Sequence, residues 1–211
     1  MSATLTKNVV AGADDGYWDS TGGGFNATGD VIGGDVSGVS RNGFIRFVAV
    51  PGLTAGAHIE SATLTLSVFT FAGVPTLKVR GVKEANPSTI ASAADANGRS
   101  LTTAGVDWDT AGTAGTITSP DISTVIQELV SQAAWNGGNA LLLVILNDSS
   151  PTDAKVQFRA YEEDPSGITL TLAITQDAEG HGSARNLRPH TFEPRPHVFT
   201  PRSSRQWEPR H

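Results

Sequence analysis

The sequence predicts an all-β domain that carries one short amphipathic helix and is followed by an extended arm. Three observations lead there. Twenty-three glycines, with many Thr and Ser, cut the chain into short apolar runs joined by tight turns. Several of those runs alternate strictly between apolar and polar residues, the period of a half-buried strand. The alternation ends at Ile174, and proline and arginine then take over.

The elements follow in order. A short β-like run around Val9 and Val10 precedes "ADDGYWDS". A Gly/Ser/Thr/Asp-rich stretch from Asp19 to about Ser40 reads as a loop too long for a simple connection. From Gly43, "GFIRFVAV" is a strand closed by Pro51-Gly52. In "IESATLTLSVFT", Ala62, Leu64, Leu66 and Val68 share one face, and Thr63, Thr65 and Ser67 the other. "TLKVRGV" repeats the pattern with Leu77 and Val79 inward. Residues 86–118 are irregular, with "GVDWD" as a strand-like anchor.

The helix is expected at about 120–134. Ser119 offers an N-cap, Pro120 the first helical position, and Asp121 a complement to the dipole. Ile122, Val125, Ile126, Leu129, Val130 and Ala133 then form one apolar stripe, stopped by "NGGN". "ALLLVILN" is apolar throughout, so both its faces should be covered. "KVQFRAY" and "GITLTLAI" alternate again, the second with Ile168, Leu170, Leu172 and Ile174 inward. The expected organisation is a domain over 1–176, a linker over 177–182 and an arm over 183–211.

Composition narrows the chemistry. There is no cysteine, so disulfides and thiolate catalysis are excluded, and five histidines make a poor set for structural zinc. The N-terminal stretch lacks the apolar core of a secretory signal, and no apolar run approaches the roughly 18 to 20 residues that span a bilayer. A soluble chain made in a cytoplasm, with no membrane partner, is the expectation. Within 1–176 the only histidine is His58, in the "TAGAH" turn, and no nucleophile, metalloprotease or phosphate-loop motif occurs. Asp107 and Asp109 beside Trp108, and Asp14-Asp15 before Tyr17, fit turn formation as well as acid catalysis. The expected protein is not an enzyme.

Several stretches, taken together and in order, look familiar: "FIRF", "AGAHIESATLTLSVF", "VDWD", "DISTVIQELV", "WNGGNALLLVI" and "GITLTLAI". Over roughly residues 43–174 this composite resembles the DNRLRE-type modules, although the D-N-R-L-R-E string itself is absent. The resemblance implies a jelly-roll-like β-sandwich, related in shape to carbohydrate-binding modules and found in surface and bacteriophage virion proteins. It makes Trp108 the match to that family's core tryptophan. It also implies a structural calcium, since some such jelly rolls hold one with carboxylates from both chain ends. The matching acids are Asp14 and Asp15 with Glu162, Glu163 and Asp164, for which ordinary solvated turns are the competing reading.

The domain and the arm each suggest a binding chemistry. Tyr17, Trp18 and Phe25, with Asn26 and nearby aspartates, could stack on and hydrogen-bond a glycan. Against that, Trp18 could plug one end of the sandwich. Arg interleaved with Phe and Trp in residues 183–211 suits nucleic acid, but the prolines spread the charges and the body is acidic. Residues 183–211 carry net +4 and the remainder net −10. An acidic body with a basic arm is the pattern of a module that docks its arm on something else.

The arm repeats one phrase. Phe192-Glu193-Pro194-Arg195, Phe199-Thr200-Pro201-Arg202 and Trp207-Glu208-Pro209-Arg210 are each aromatic-x-Pro-Arg, seven and eight residues apart. Prolines at 189, 194, 196, 201 and 209 bias the backbone toward extended or polyproline-II geometry. At ~3.1 Å per residue the three aromatic anchors lie about 22–25 Å apart. Each anchor would fill a pocket while the arginine beside it meets an acidic or carbonyl acceptor. With the resemblance, this gives the expected role: a virion structural protein, displayed as a head decoration or cement protein or associated with tail or fibre. Its arm would tie it to capsid or tail proteins and to neighbouring copies in a homo-oligomer. The alternative is a carbohydrate-binding module that adheres to host-surface glycans.

Overall fold

A computed structural model describes residues 1–109 and 114–175. The expected linker and arm, including Phe192, Phe199 and Trp207 and their neighbouring prolines and arginines, lie outside the described residues. Twelve strands are present among the described residues: β1 (Ser2–Asn8), β2 (Asp15–Asp19), β3 (Phe25–Asn26), β4 (Val31–Val36), β5 (Val39–Phe47) and β6 (His58–Ala72), then β7 (Leu77–Gly81), β8 (Val106–Asp107), β9 (Gly115–Thr118), β10 (Leu141–Asn147), β11 (Lys155–Phe158) and β12 (Ile168–Thr175). Two helices, α1 (Ala93–Gly98) and α2 (Ser123–Val130), and a 3-10 turn over Gly12–Asp14 complete them.

All strand pairings are antiparallel. The order runs β1-β12-β6-β11-β4-β5-β10-β7-β8, with β2 beside β5, β3 beside β2 and β9 beside β6. The sheet curls so that β6 and β12 face β5, β7 and β10 across one core. Leu64, Leu66, Leu170 and Leu172 from the first side meet Ile45, Phe47, Val79, Leu141 and Leu143 from the second. Trp108 joins them, stacked on Phe158 with ring centroids 5.8 Å apart. The result is an all-β, jelly-roll-like fold, as the alternation in "ATLTLSV" and "ITLTLAI" predicted. Burial of each Leu or Ile contributes about 1.5–3 kcal/mol, so this core is the main stabilising element.

The both-sided cover expected for "ALLLVILN" is found. Leu141, Leu143 and Ile145 of β10 enter the main core, while Leu142 and Val144 enter a second cluster with Trp18, Phe44, Ile90, Ala93 and Ala96. The cover on that second side is α1, which the sequence did not announce. It has six residues, and its start is fixed locally: Ser92 Oγ accepts the Asp95 amide at 3.1 Å.

Three expectations are corrected. The helix at 120–134 is shorter, Ser123–Val130, and Ser119 does not cap it. Residues 119–122 continue the β9 edge along β6, where the Ser119 and Ile122 amides donate to the Leu64 and Ala62 carbonyls at 2.8 Å. Tertiary pairing outweighs the local helix-start signal there. Ala133, expected in the buried stripe, lies beyond the helix and is exposed.

The stretch read as a loop from Asp19 to Ser40 contains β3 and β4, and β4 is buried from Val31 to Asp35. Gly33 and Gly34 hid it, because glycine carries no pattern. Gly34 is needed at φ +126°, where a Cβ would lie 2.4 Å from the Ala154 carbonyl oxygen. Last, β1 precedes Val9 and Val10. Its register on β12 runs from Ser2 opposite Thr175 to Asn8 opposite Thr169.

Candidate functional site

The front hairpin sorts its own residues. Antiparallel partners share a face of the sheet. Trp18 pairs with Phe25, and Tyr17 with Asn26. The four side chains expected to form one glycan site are therefore divided between two faces.

Trp18 and Phe25 belong to the second apolar cluster. Trp18 is 3% exposed, and its Nε1 donates to Asn97 Oδ1 at 2.8 Å. Phe25 stacks on Phe44 with centroids 6.0 Å apart. Buried and hydrogen-bonded, Trp18 offers no ring face to a ligand, so its expected stacking role is corrected to that of a plug.

Tyr17 and Asn26 line a groove of about 330 Å³. Ile32 of β4 lies on it although buried. Lys155 and Gln157 reach it from β11 because their neighbours Val156 and Phe158 point into the core. Asp30 and Thr28 come from the β3–β4 loop, Arg41 from β5, and Ala160 and Glu163 from the turn after β11. The hairpin needs Gly16 to bring β2 this close: a Cβ there would lie 2.0 Å from the Asn26 carbonyl oxygen, and its φ is +149°.

Most charges around the groove are already partnered. The Arg41 guanidinium donates to Asp19 at 3.0 Å and lies 4.7 Å over the Tyr17 ring. Gln157 Nε2 donates to Asp30, and Arg159 meets Glu163 at 3.4 Å. The Lys155 ammonium, the Tyr17 ring and several amide and carboxylate groups thus converge on one recess. That equipment suits hydrogen bonding to a polar ligand of a few ångströms.

Beside the groove lies an acidic corner built from both ends of the domain. Asp14 in the 3-10 turn pairs with Arg46 of β5 at 2.8 Å. Asp15 is completely buried; its Oδ2 accepts the Tyr161 amide at 2.9 Å, and its Oδ1 has no hydrogen-bond partner. Burial pushes its carboxyl up to about 7, with smaller contributions from Glu162, Asp14 and Asp30 and an opposing one from the Tyr161 amide. Glu162 lies against the bare backbone of Gly12, where a Cβ would sit 1.4 Å from Oε1. Asp164 closes its own turn by accepting from Ser166.

Of the acids expected from the two chain ends, Asp15 has Glu162 and Asp14 for neighbours, while Asp14 pairs with Arg46, Glu163 with Arg159 and Asp164 with Ser166. Among the described residues no group of three or more His, Asp or Glu side chains is placed to hold a metal ion. His58 is exposed at the first position of β6. No helix among the described residues is long and apolar enough to cross a membrane.

Sequence reasoning found Tyr17 and Asn26 but missed Asp30, Ile32, Arg41, Lys155 and Gln157. The signal for the last two was present: in "KVQF" the polar residues alternate with buried Val156 and Phe158. Ile32 and Asp30 were hidden with β4.

No family model matches the chain, and neither does any curated protein. Among solved structures, a chain from desmodium yellow mottle tymovirus is similar over 85% of this chain and 90% of its own, with 11% identity and a TM-score of 0.27.

Proposed function

We propose that this chain is a non-enzymatic virion structural protein: a jelly-roll domain displayed on the particle and anchored by its C-terminal arm. Head decoration or cement is the first assignment, and a tail or fibre association the second. The observation that carries the reading is the threefold aromatic-x-Pro-Arg repeat following a domain whose last strand is already paired on both sides. β12 is matched by β1 and β6 up to Thr175. The resemblance to DNRLRE-type modules and the split between a +4 arm and a −10 remainder support the same reading. Near-equal spacing of Phe192, Phe199 and Trp207 suits symmetry-related pockets on capsid or tail proteins and neighbouring copies.

The test is removal of residues 183–211. The truncated domain is expected to fold with the melting temperature of the full chain and to be missing from purified particles. Full occupancy of the particle by the truncated protein would overturn the assignment.

The groove favours a second reading, adhesion to host-surface glycans, which is compatible with display. Tyr17→Ala and Asn26→Ala are expected to abolish binding on a glycan array while changing stability by about 1 kcal/mol or less. An array with no bound glycan for the parent chain would sink this reading alone.

A further inference from the structure

Strand β6 carries two bulges. Its pairing with β12 passes from Ser61, opposite Ala173, to Ile59, opposite Ile174, and skips Glu60. Its pairing with β11 passes from Thr70, opposite Gln157, to Val68, opposite Phe158, and skips Phe69. An extra residue re-aims its side chain, and both of these are exposed, Phe69 by 49%. Thr175 Oγ1 donates to the Glu60 carboxylate, and the Arg159 guanidinium lies 5.1 Å over the Phe69 ring. Thr175 and Arg159 stand on the outer side of the sheet, because their neighbours Ile174 and Phe158 enter the core. Glu60 and Phe69 therefore mark the two ends of one outer face, about 30 Å apart along the strand.

Between those ends the face carries no charge. β6 turns only Ser and Thr outward there, and its register sets Thr171 of β12 beside Thr63 and Thr118 of β9 beside Thr65. β1 extends the row with Thr6 opposite Thr171. Among the described residues of these four strands, none that faces outward between Glu60 and Arg159 is charged. Residues 1–182 nonetheless hold net −10. Two copies meeting through an acidic surface repel each other, and through this face they do not. Thr is also stiff at χ1, so ordering it costs less than ordering the long charged side chains of a solvated sheet.

We propose that two copies of the chain pack sheet against sheet through this face, antiparallel about a twofold axis that crosses β6 near Thr65. That axis lays one β6 over the other and brings Glu60 of each copy onto the Phe69–Arg159 stack of its partner. Arg159 meets Glu163 through one nitrogen at 3.4 Å, and a guanidinium has five donors, enough to take the partner's Glu60 as well. Phe69 supplies the apolar anchor beside that pair. Four strands about 4.8 Å apart give on the order of 500–600 Å² of flat face per copy, the low end for a specific interface. The dimer is therefore concentration-dependent. It joins domain to domain, so it goes beyond the anchoring role of residues 183–211 and stands or falls without it.

Sedimentation equilibrium of the full chain over a concentration series tests this. A reversible monomer–dimer equilibrium is expected for the parent. Thr65→Arg and Thr171→Arg each set like charges against one another at the centre of the face, and each is expected to raise the dissociation constant about a hundredfold or more. Both positions are half-buried on the outer side, and circular dichroism is expected to show both variants folded; should one fail to fold, the other serves. A parent that stays monomeric overturns the proposal. So does a dimer that survives both arginines, because the unchanged arms or another surface then hold it together. The antiparallel arrangement has its own check. Glu60→Gln and Arg159→Gln are each expected to raise the dissociation constant about tenfold, with the double variant no weaker than either alone. Additive losses would place the two groups apart and sink that arrangement.

Discussion

Trp18 stands opposite Phe25 in the β2–β3 hairpin, while the next residue back, Tyr17, stands opposite Asn26. One residue of register separates a core pair from a groove pair. The two aromatic residues should therefore answer differently to the same truncation. Trp18→Ala opens a cavity against Phe44 and removes the hydrogen bond to Asn97 Oδ1, and is expected to cost about 3–5 kcal/mol. Tyr17→Ala removes a half-exposed ring and is expected to change stability by about 1 kcal/mol or less. Urea denaturation of both variants checks the split. Equal losses would mean that Tyr17 is a core residue too.

Gly34 makes a sharper case. Its φ of +126° and the 2.4 Å approach of the Ala154 carbonyl oxygen leave no place for a methyl group. Gly34→Ala is expected to cost about 3 kcal/mol or more, or to prevent folding. Gly38 is the control: it also has positive φ, +81°, but a Cβ there meets nothing within 4 Å. Gly38→Ala is expected to cost only about 1 kcal/mol of backbone strain. Thermal melts of the pair separate crowding from conformation.

These glycines also mark where the sequence stopped being legible. The strands that alternate, β6, β7, β11 and β12, were readable because one face of each is apolar and the other polar. β10 was readable as doubly covered because it is apolar throughout. β4 was not, since "VIGGDV" places Gly33 and Gly34 where a pattern would need side chains. The groove was half legible for the same reason. Tyr17 and Asn26 stood out as an aromatic and an amide in a glycine-rich stretch, but the partners that complete the recess come from β4, β5 and β11. No local pattern records which strands will be neighbours.

Glu128 provides a pH-dependent tie that no motif announced. From α2 it accepts the Ala104 and Thr103 amides at 2.9 and 3.0 Å and meets Lys83 at 2.9 Å. Those bonds, the Ala104 amide first, hold its carboxyl down at about 2 against an ordinary 4.5. A carboxyl depressed in the folded state stabilises it fully above the unfolded value, and that stabilisation is lost as pH falls from about 4.5 toward 2. Glu128→Gln is expected to lose about 1–2 kcal/mol at neutral pH and to approach the parent chain near pH 2. Guanidinium melts at pH 2.5, 4 and 7 check this. A difference that stays constant across the three would show that the charge of Glu128 does not matter.

Asp121 and Ser119 decide which residue starts α2. The local signal pointed to Ser119, yet Ser119 Oγ accepts the Leu64 amide at 2.9 Å, across the β6 edge. The Asp121 carboxylate instead accepts the Ser123 amide at 2.9 Å and the Ala62 amide at 2.8 Å, with Ser123 Oγ at 3.1 Å. Burial raises its carboxyl, but these three hydrogen bonds outweigh burial and leave it below the ordinary aspartate value. Asp121 therefore secures the start of the helix and pins it to β6 with the same group. Asp121→Ala is expected to cost about 1–2 kcal/mol and to speed exchange at both Ser123 and Ala62. Ser119→Ala is expected to speed exchange at Leu64 and leave Ser123 protected. If Ser119→Ala frays Ser123 instead, the cap is where the sequence first placed it, and the strand-like path of residues 119–122 is wrong.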